Sequence, residues 1–220
     1  MDVVIVSKTR MSKAICVGGV LANGKFVRLL DSNGYNQSID TELNIGDVYT
    51  ITFEERQQRR PPHTEDILIF SKIYRFSFES VERMVFYLRN KLNINIWKGN
   101  IDSIFDSKLQ WTNGNNGSGY VSELGEIPNQ STGFWILDRN LIRNDFNEKI
   151  RYKYQFLASS SNHEIDLIRK SLQTKYIPYV GLQEPLTIIE KGTLVRLSLA
   201  RWWSPNNDEE RCYLQLSGWY

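Results

Sequence analysis

A mainly β protein, two consecutive small barrels joined by a helical connector, is what the sequence predicts on three observations. Short runs rich in Val, Ile, Tyr, Phe and Thr recur along both halves, separated by Gly, Asn, Asp and Pro, which is the texture of strands and turns. One segment between them, beginning at Ser80, changes to helical spacing. The composition, 41% hydrophobic, 12% aromatic and 24% charged over 220 residues, can bury a sizeable core and is unlike that of a disordered chain.

The first barrel is expected over residues 1–76. Residues 3–7 form a β-branched run, and 14–21 a second one whose Gly18 and Gly19 suit a bulge or sharp bend. Asn23-Gly24 is the strongest short hairpin signal, because both residues tolerate positive φ, and it leads directly into residues 25–30. A polar loop over 31–40 precedes Gly46 and the alternating run 48–53, and a further strand follows at 66–72. Five short strands spaced by turn chemistry fit a small barrel or sandwich better than any helical plan.

The connector is expected over residues 77–112. Ser80 with Glu82 resembles a helix start, and Val81, Met84, Val85, Leu88 and Leu92 recur at helical spacing. Residues 112–119, dominated by Asn, Gly and Ser, read as a loop, a mobile excursion or hinge. The second barrel is expected over 113–220, with strands at 133–137, 150–157, 176–180, 187–189, 193–199 and 212–216. Residues 163–172 place Ile165, Ile168 and Leu172 on one face and suit a short helix or an irregular insertion.

The totals exclude several function classes. With 27 basic residues against 25 acidic ones the net charge is +2, so no global field draws the protein onto a polyanion and any such affinity must come from a local groove. Cys16 and Cys212 lie far apart with no CxxC or Cys/His spacing; both read as buried thiols, and no metal site or cofactor is expected. The short apolar run after Asp2 lacks the pattern of a signal peptide, and no stretch reaches the ~20 apolar residues of a membrane span, so a cytoplasmic location is expected. No P-loop, dinucleotide glycine signature or nucleophile elbow is present.

Four blocks carry a family resemblance: Val4-Ile5-Val6-Ser7-Lys8-Thr9-Arg10, Cys16-Val17-Gly18-Gly19, Gly24-Lys25-Phe26-Val27-Arg28-Leu29-Leu30 and Gly192-Thr193-Leu194-Val195-Arg196-Leu197-Ser198-Leu199. With Pro61-Pro62-His63-Thr64-Glu65-Asp66 and Ser131-Thr132-Gly133-Phe134-Trp135 between them, the chain resembles the dual OB-fold domain family over most of its length. That resemblance implies two consecutive OB-like barrels, nucleic-acid binding, and a bacterial setting associated with conflict or antiphage defence. Residues 113–118 and 159–175 look like local elaborations on the family pattern.

Several constellations are candidates for ligand contact. Lys8 and Arg10 end the first strand on one face, where Arg28 from the hairpin can join them to meet a phosphate or, more blandly, solvate the sheet. Arg59 and Arg60, in the stretch 56–60 before two prolines, suit a backbone-tracking loop, although Glu54 and Glu55 cancel much of its charge. His63, Glu65 and Asp66 crowd an imidazole beside two carboxylates, a polar site better suited to a hydrogen-bond knot than to acid–base chemistry. Arg196, Arg201, Trp202 and Trp203 bring two cations and two indoles within eight residues, a set that can stack on bases and touch phosphates or close a barrel rim. Arg211 belongs with them, whereas Trp219 near the end of the chain reads as packing.

The expectation is a binding module that presents an aromatic-lined groove to single-stranded DNA or RNA with little sequence preference. Two other classes fit the same residues: a scaffold subunit that docks a protein partner encoded nearby, and an enzyme acting on nucleic acid or a nucleotide through His63, Glu65 and Asp66.

Overall fold

The computed structural model describes residues 1–11, 13–114, 116–157, 172–204 and 209–220. The first half folds as five strands: β1 (Asp2–Met11), β2 (Ala14–Leu21), β3 (Phe26–Leu30), β4 (Asp47–Glu55) and β5 (Asp66–Ser77). They close into a barrel in the order β1-β2-β3-β5-β4, with β1 antiparallel to β4 and β3 parallel to β5. Five strands closed in this Greek-key order are the OB arrangement. The Asn23-Gly24 turn forms as the sequence predicts: Gly24 takes φ +82, and the Leu21 amide donates to the Lys25 carbonyl at 2.9 Å. Gly18 and Gly19 face an irregularity in the neighbouring strand, where the register slips between Ile5 and Ser7.

Val3, Ile5, Val17, Val27, Leu29, Ile51 and Ile67 fill the barrel. Val4 and Val6, on the opposite face of β1, are buried too, in a second core with Met84, Leu88, Phe134 and Leu194. This explains why residues 3–6 are uniformly apolar, since a strand covered on both sides has no solvent face to alternate with. Helix α1 (Val81–Asn90) supplies Met84 and Leu88. Its first turn is capped by Ser80, whose Oγ accepts from the Arg83 amide at 3.3 Å, and its charges, Glu82 first and Arg89 last, oppose the helix dipole favourably.

The second half comprises β6 (Ile96–Trp97), two 3₁₀ turns, and strands β7 (Gln110–Asn113), β8 (Asn116–Ser122), β9 (Thr132–Ile136), β10 (Leu141–Phe146), β11 (Lys149–Leu157), β12 (Leu172–Pro178), β13 (Ile188–Ile189), β14 (Leu194–Leu199) and β15 (Arg211–Trp219). They form one sheet in the order β13-β10-β11-β12-β8-β15-β14-β9-β6, with β7 paired to β8. One core holds side chains from nearly every strand, among them Trp111, Val121, Trp135, Tyr152, Ile177, Ile189, Leu197 and Leu214, so the sheet wraps around it. The wrap is tied where the β9–β10 and β13–β14 connections meet: the Leu137 amide donates to Thr193 at 3.1 Å and the Gly192 amide to Leu137 at 2.8 Å.

The structure departs from the expected elements in three places. Within the segment read as a loop, 112–119, residues 112–113 close β7 and 116–119 open β8, the two strands pairing antiparallel. The segment's Asn, Gly and Ser are poor strand formers, but β8 lies between β12 and β15, and main-chain pairing on both edges outweighs side-chain propensity. Strand β10 carries too many polar residues to be read locally and is held by β11 and β13. The stretch expected as a connector contains β6 and β7, both of which pair with the second sheet. The expected short helix at 163–172 lies outside the described residues apart from its last position, which opens β12.

Candidate functional site

Charged and polar residues singled out in the sequence gather first between the two halves. Arg28 and Asp66 are direct neighbours in the parallel β3–β5 register, and their side chains pair. The same buried carboxylate receives Arg201 Nη2 at 2.7 Å from the second half and Arg56 Nη1 at 3.5 Å from the β4–β5 loop. Beside it, Glu65 accepts from the amide of Ser131 and from its Oγ, the latter at 2.9 Å. Burial pushes the Glu65 carboxyl up, against the two Ser131 bonds. His63 is 3% exposed, with Nε2 3.2 Å from the Leu199 carbonyl; a carbonyl opposite Nε2 requires that nitrogen to carry the proton. Burial holds this imidazole below its ordinary value. Trp202 Nε1 donates to Pro61 O at 2.8 Å, so the β4–β5 loop is clamped to the second half along its length.

Arg196 completes this inner group. It projects from β14, opposite Phe134 and Gly218 in register, and is 5% exposed. The guanidinium lies over Gly18, where a Cβ would fall 2.5 Å from both Arg196 Nη2 and Ser7 Oγ; only glycine leaves the space. Among the described residues the Arg196 guanidinium forms no hydrogen bond or ion pair, and its Nε is buried without a partner. Burial lowers its proton affinity. Arg28, His63, Arg196, Arg201, Thr132 and Ser198 line a cavity of about 70 Å³ between the halves.

A second group lies on the outside. Arg60 stacks over the Trp202 ring at 4.7 Å and pairs with Glu210 at 2.5 Å and Glu123 at 3.0 Å. Trp203 is 58% exposed, its centroid 6.2 Å from Tyr213, whose ring is 5.8 Å from Tyr120. Arg211 covers Tyr120 at 4.4 Å and pairs with Glu209 at 2.6 Å. Three expected contacts join neither group: Lys8 donates to Thr41 O and Asn44 Oδ1, both at 3.2 Å; Arg59 pairs with Glu55 at 2.9 Å; and the exposed Arg10 is tied by its backbone amide to Val180 O at 3.1 Å.

The closed five-strand barrel and the wrapped sheet beside it have a counterpart among known families: a sequence model described as a dual OB-containing domain matches residues 1–219. The chain belongs to that family. Nothing among the curated proteins or the solved structures matches it. OB barrels commonly take oligonucleotides on the outward face of their second and third strands. In this dual OB-containing domain that face is spoken for: Val20 and Phe26 pack in the shared core with Phe134 and Leu194, and Cys16, Gly18 and Arg28 line the cavity beneath Arg196. The described residues contain no group of three or more His, Cys, Asp or Glu arranged to hold a metal, and no helix among them is long and apolar enough to cross a membrane.

The dual OB-containing domain also carries a surface that reading its sequence did not single out. Beyond Leu68, β5 pairs only with β4 among the described strands, and from Phe70 to Ser77 its side chains are exposed. Phe76 of β5 and Phe86 of α1 stand 49% and 62% exposed and flank a groove of about 320 Å³ with Phe78, Glu79, Arg83, Tyr87 and Lys91. Arg75, Arg89 and Lys91 make no ion pair among the described residues, and the one at Arg83 is a 3.5 Å contact between two exposed groups. The signal was present: residues 73–78, Ile-Tyr-Arg-Phe-Ser-Phe, hold three aromatics and a cation without an acid.

Proposed function

We propose that this dual OB-containing domain is a cytoplasmic single-stranded nucleic-acid-binding module, with DNA or RNA laid along the β5–α1 surface. The observation that carries the reading is the pairing of exposed rings at Phe76 and Phe86 with Arg89 and Lys91, which make no ion pair among the described residues, and with Arg83, whose contact to Glu79 is long and exposed. Flat rings accept any base, unpaired guanidinium and ammonium groups follow the phosphates, and stacking is worth about 1–3 kcal/mol per base. By contrast, Arg59, Arg60 and Arg211 each have a carboxylate partner, which leaves Trp203 and Arg10 as the better-placed members of the originally expected contacts. A place in bacterial defence rests on the family resemblance and is tested by phage challenge of cells carrying and lacking the gene.

Fluorescence anisotropy of labelled oligo-dT and oligo-U at low salt tests the reading. Phe76→Ala with Phe86→Ala is expected to weaken binding about tenfold. Arg83→Ala with Arg89→Ala is expected to flatten the dependence of log K on log salt by about 1.4, from ~0.7 per phosphate contact on a single strand. Trp203→Ala is the comparison that assigns the surface: a larger loss there than in the Phe76/Phe86 variant moves the strand to the β15 side. Absence of binding by the wild-type chain ends the proposal, and recovery of a stable protein complex through Phe76 and Phe86 puts a scaffold role in its place.

A further inference from the structure

Among the described residues, the Arg196 guanidinium in the cavity between the halves has no hydrogen-bond or ion-pair partner, and the one carboxyl in the lining is that of Glu65. Of the five buried polar side-chain atoms without a partner among the described residues, three belong to its lining: Arg28 Nε, His63 Nδ1 and Arg196 Nε. The carboxylate at Asp66 already serves Arg28, Arg56 and Arg201, and Glu65 is spent on Ser131. Leaving a buried guanidinium unpaired is among the most destabilising arrangements a protein can contain, and here β14, Gly18 and the second half of the chain are built around one.

We propose that this cavity is a binding site for a single tetrahedral oxyanion, a free phosphate or the terminal phosphate of a monoester, with Arg196 as its principal ligand. Arg196 and Arg28 supply charge-assisted donors from opposite halves. The hydroxyls of Ser198 and Thr132 stand in the same lining; Ser198 Oγ, 2.8 Å from Ser217 Oγ, can donate to the anion when Ser217 is the donor between them, whereas Thr132 Oγ1 donates to Leu197 O at 3.0 Å and would have to turn. With the proton on Nε2, His63 Nδ1 is an acceptor suited to the remaining O–H of a monoprotonated phosphate. About 70 Å³ leaves room for one phosphate group. Any ester-linked remainder must leave past Met11 and Arg201, the exposed residues of the lining. An anion here would bridge Arg28 of the barrel to Arg196 of the sheet and so join the two halves. The site stands apart from the β5–α1 surface, and the inference does not depend on nucleic-acid binding there.

The test is titration calorimetry and thermal unfolding of the full chain with inorganic phosphate, against chloride at matched ionic strength. The wild-type chain is expected to bind phosphate saturably and to unfold at a higher temperature as phosphate rises. Arg196→Met is expected to weaken phosphate binding about tenfold or more while unfolding no lower than wild type in phosphate-free buffer, because an unpaired buried charge has been replaced by an apolar chain. Should Arg196→Met not fold, Arg201→Ala at the exposed rim decides, with a several-fold loss of phosphate affinity expected. Adding 5′-AMP and adenosine separates the sources: tighter binding of 5′-AMP than of phosphate assigns the mouth to a monoester, equal binding assigns the site to the free anion, and adenosine binds in neither case. No saturable effect beyond chloride, or undiminished phosphate binding in the variant that folds, overturns the proposal.

Discussion

Asp66→Ala is expected to lower unfolding stability by about 3–5 kcal/mol, the range for removing one partner of a buried ion pair. Asp66 is 3% exposed and is the acceptor for Arg28, 16% exposed at its side chain, as well as for Arg201 and Arg56, each 41% exposed. Its loss strands the Arg28 guanidinium, whose Nε already lacks a partner, in a cavity that also contains Arg196. Arg56→Ala is the contrasting variant. That pair is long and its cation half in water, so the change should stay within about 1 kcal/mol. Urea unfolding of both variants gives the comparison directly through the midpoint. A loss at Asp66 no greater than that at Arg56 would mean that the three guanidiniums are solvated in solution and that the halves are not closed on one another there.

The same residues show where a sequence stops being legible. The first barrel is visible because its information is local: the Asn23-Gly24 turn, the double glycine at 18–19 and the apolar run of β1 each act within a few positions. The helix is visible for the same reason, through Ser80 and the spacing of Met84 and Leu88. The inner site is a different matter. Arg28, His63, Glu65, Asp66, Arg196 and Arg201 can each be picked out as polar residues in strand-like surroundings, but the reading placed the arginines in an open trough. Whether a charge at a strand end meets solvent or another domain depends on what lands on that face, and here Asp66 meets Arg201 at 2.7 Å and Glu65 meets Ser131 at 2.9 Å, both across the two halves. Gly18 did carry a trace of this, since its missing side chain is what admits Arg196. The β5–α1 surface escaped notice for the opposite reason. A strand that continues past Lys72 was not anticipated, so the aromatics at 74, 76 and 78 were not weighed as an exposed row.

Acidification is expected to weaken the fold through His63. Burial is the leading cause of its depressed proton affinity, the Leu199 carbonyl opposes it, Arg28 reinforces it, and Asp66 and the Ala200 backbone oppose it; Glu65, Arg196 and Arg201 are the other charged groups that line the same cavity. In the unfolded chain the imidazole titrates near its ordinary value of 6.5, so below that pH the unfolded state binds more protons than the native state. Stability therefore rises with pH across this window and is lost as pH falls from 6.5 toward the folded value, by at most about 1.4 kcal/mol per pH unit. Glu65 works in the other direction: its carboxyl is raised above 4.5, so the native state takes up that proton first and gains stability on acidification between 4.5 and its folded value. Comparing wild type with His63→Gln in phosphate-free buffer removes this complication, since Glu65 is common to both and cancels in the difference, while the glutamine amide can still donate to the Leu199 carbonyl. Urea unfolding at pH 7.0, 6.0 and 5.0 should show the wild-type chain losing stability faster than His63→Gln below pH 6.5, by up to about 1.4 kcal/mol per unit until the folded imidazole itself protonates. Parallel profiles would mean that His63 takes up its proton equally readily in the folded and unfolded chain, and a wild-type gain over His63→Gln on acidification would mean that it is carried as a cation in the folded protein. An imidazolium at that position donates from Nδ1 into the cavity alongside the guanidiniums of Arg28, Arg196 and Arg201, and the monoprotonated form would lose its advantage over the dianion.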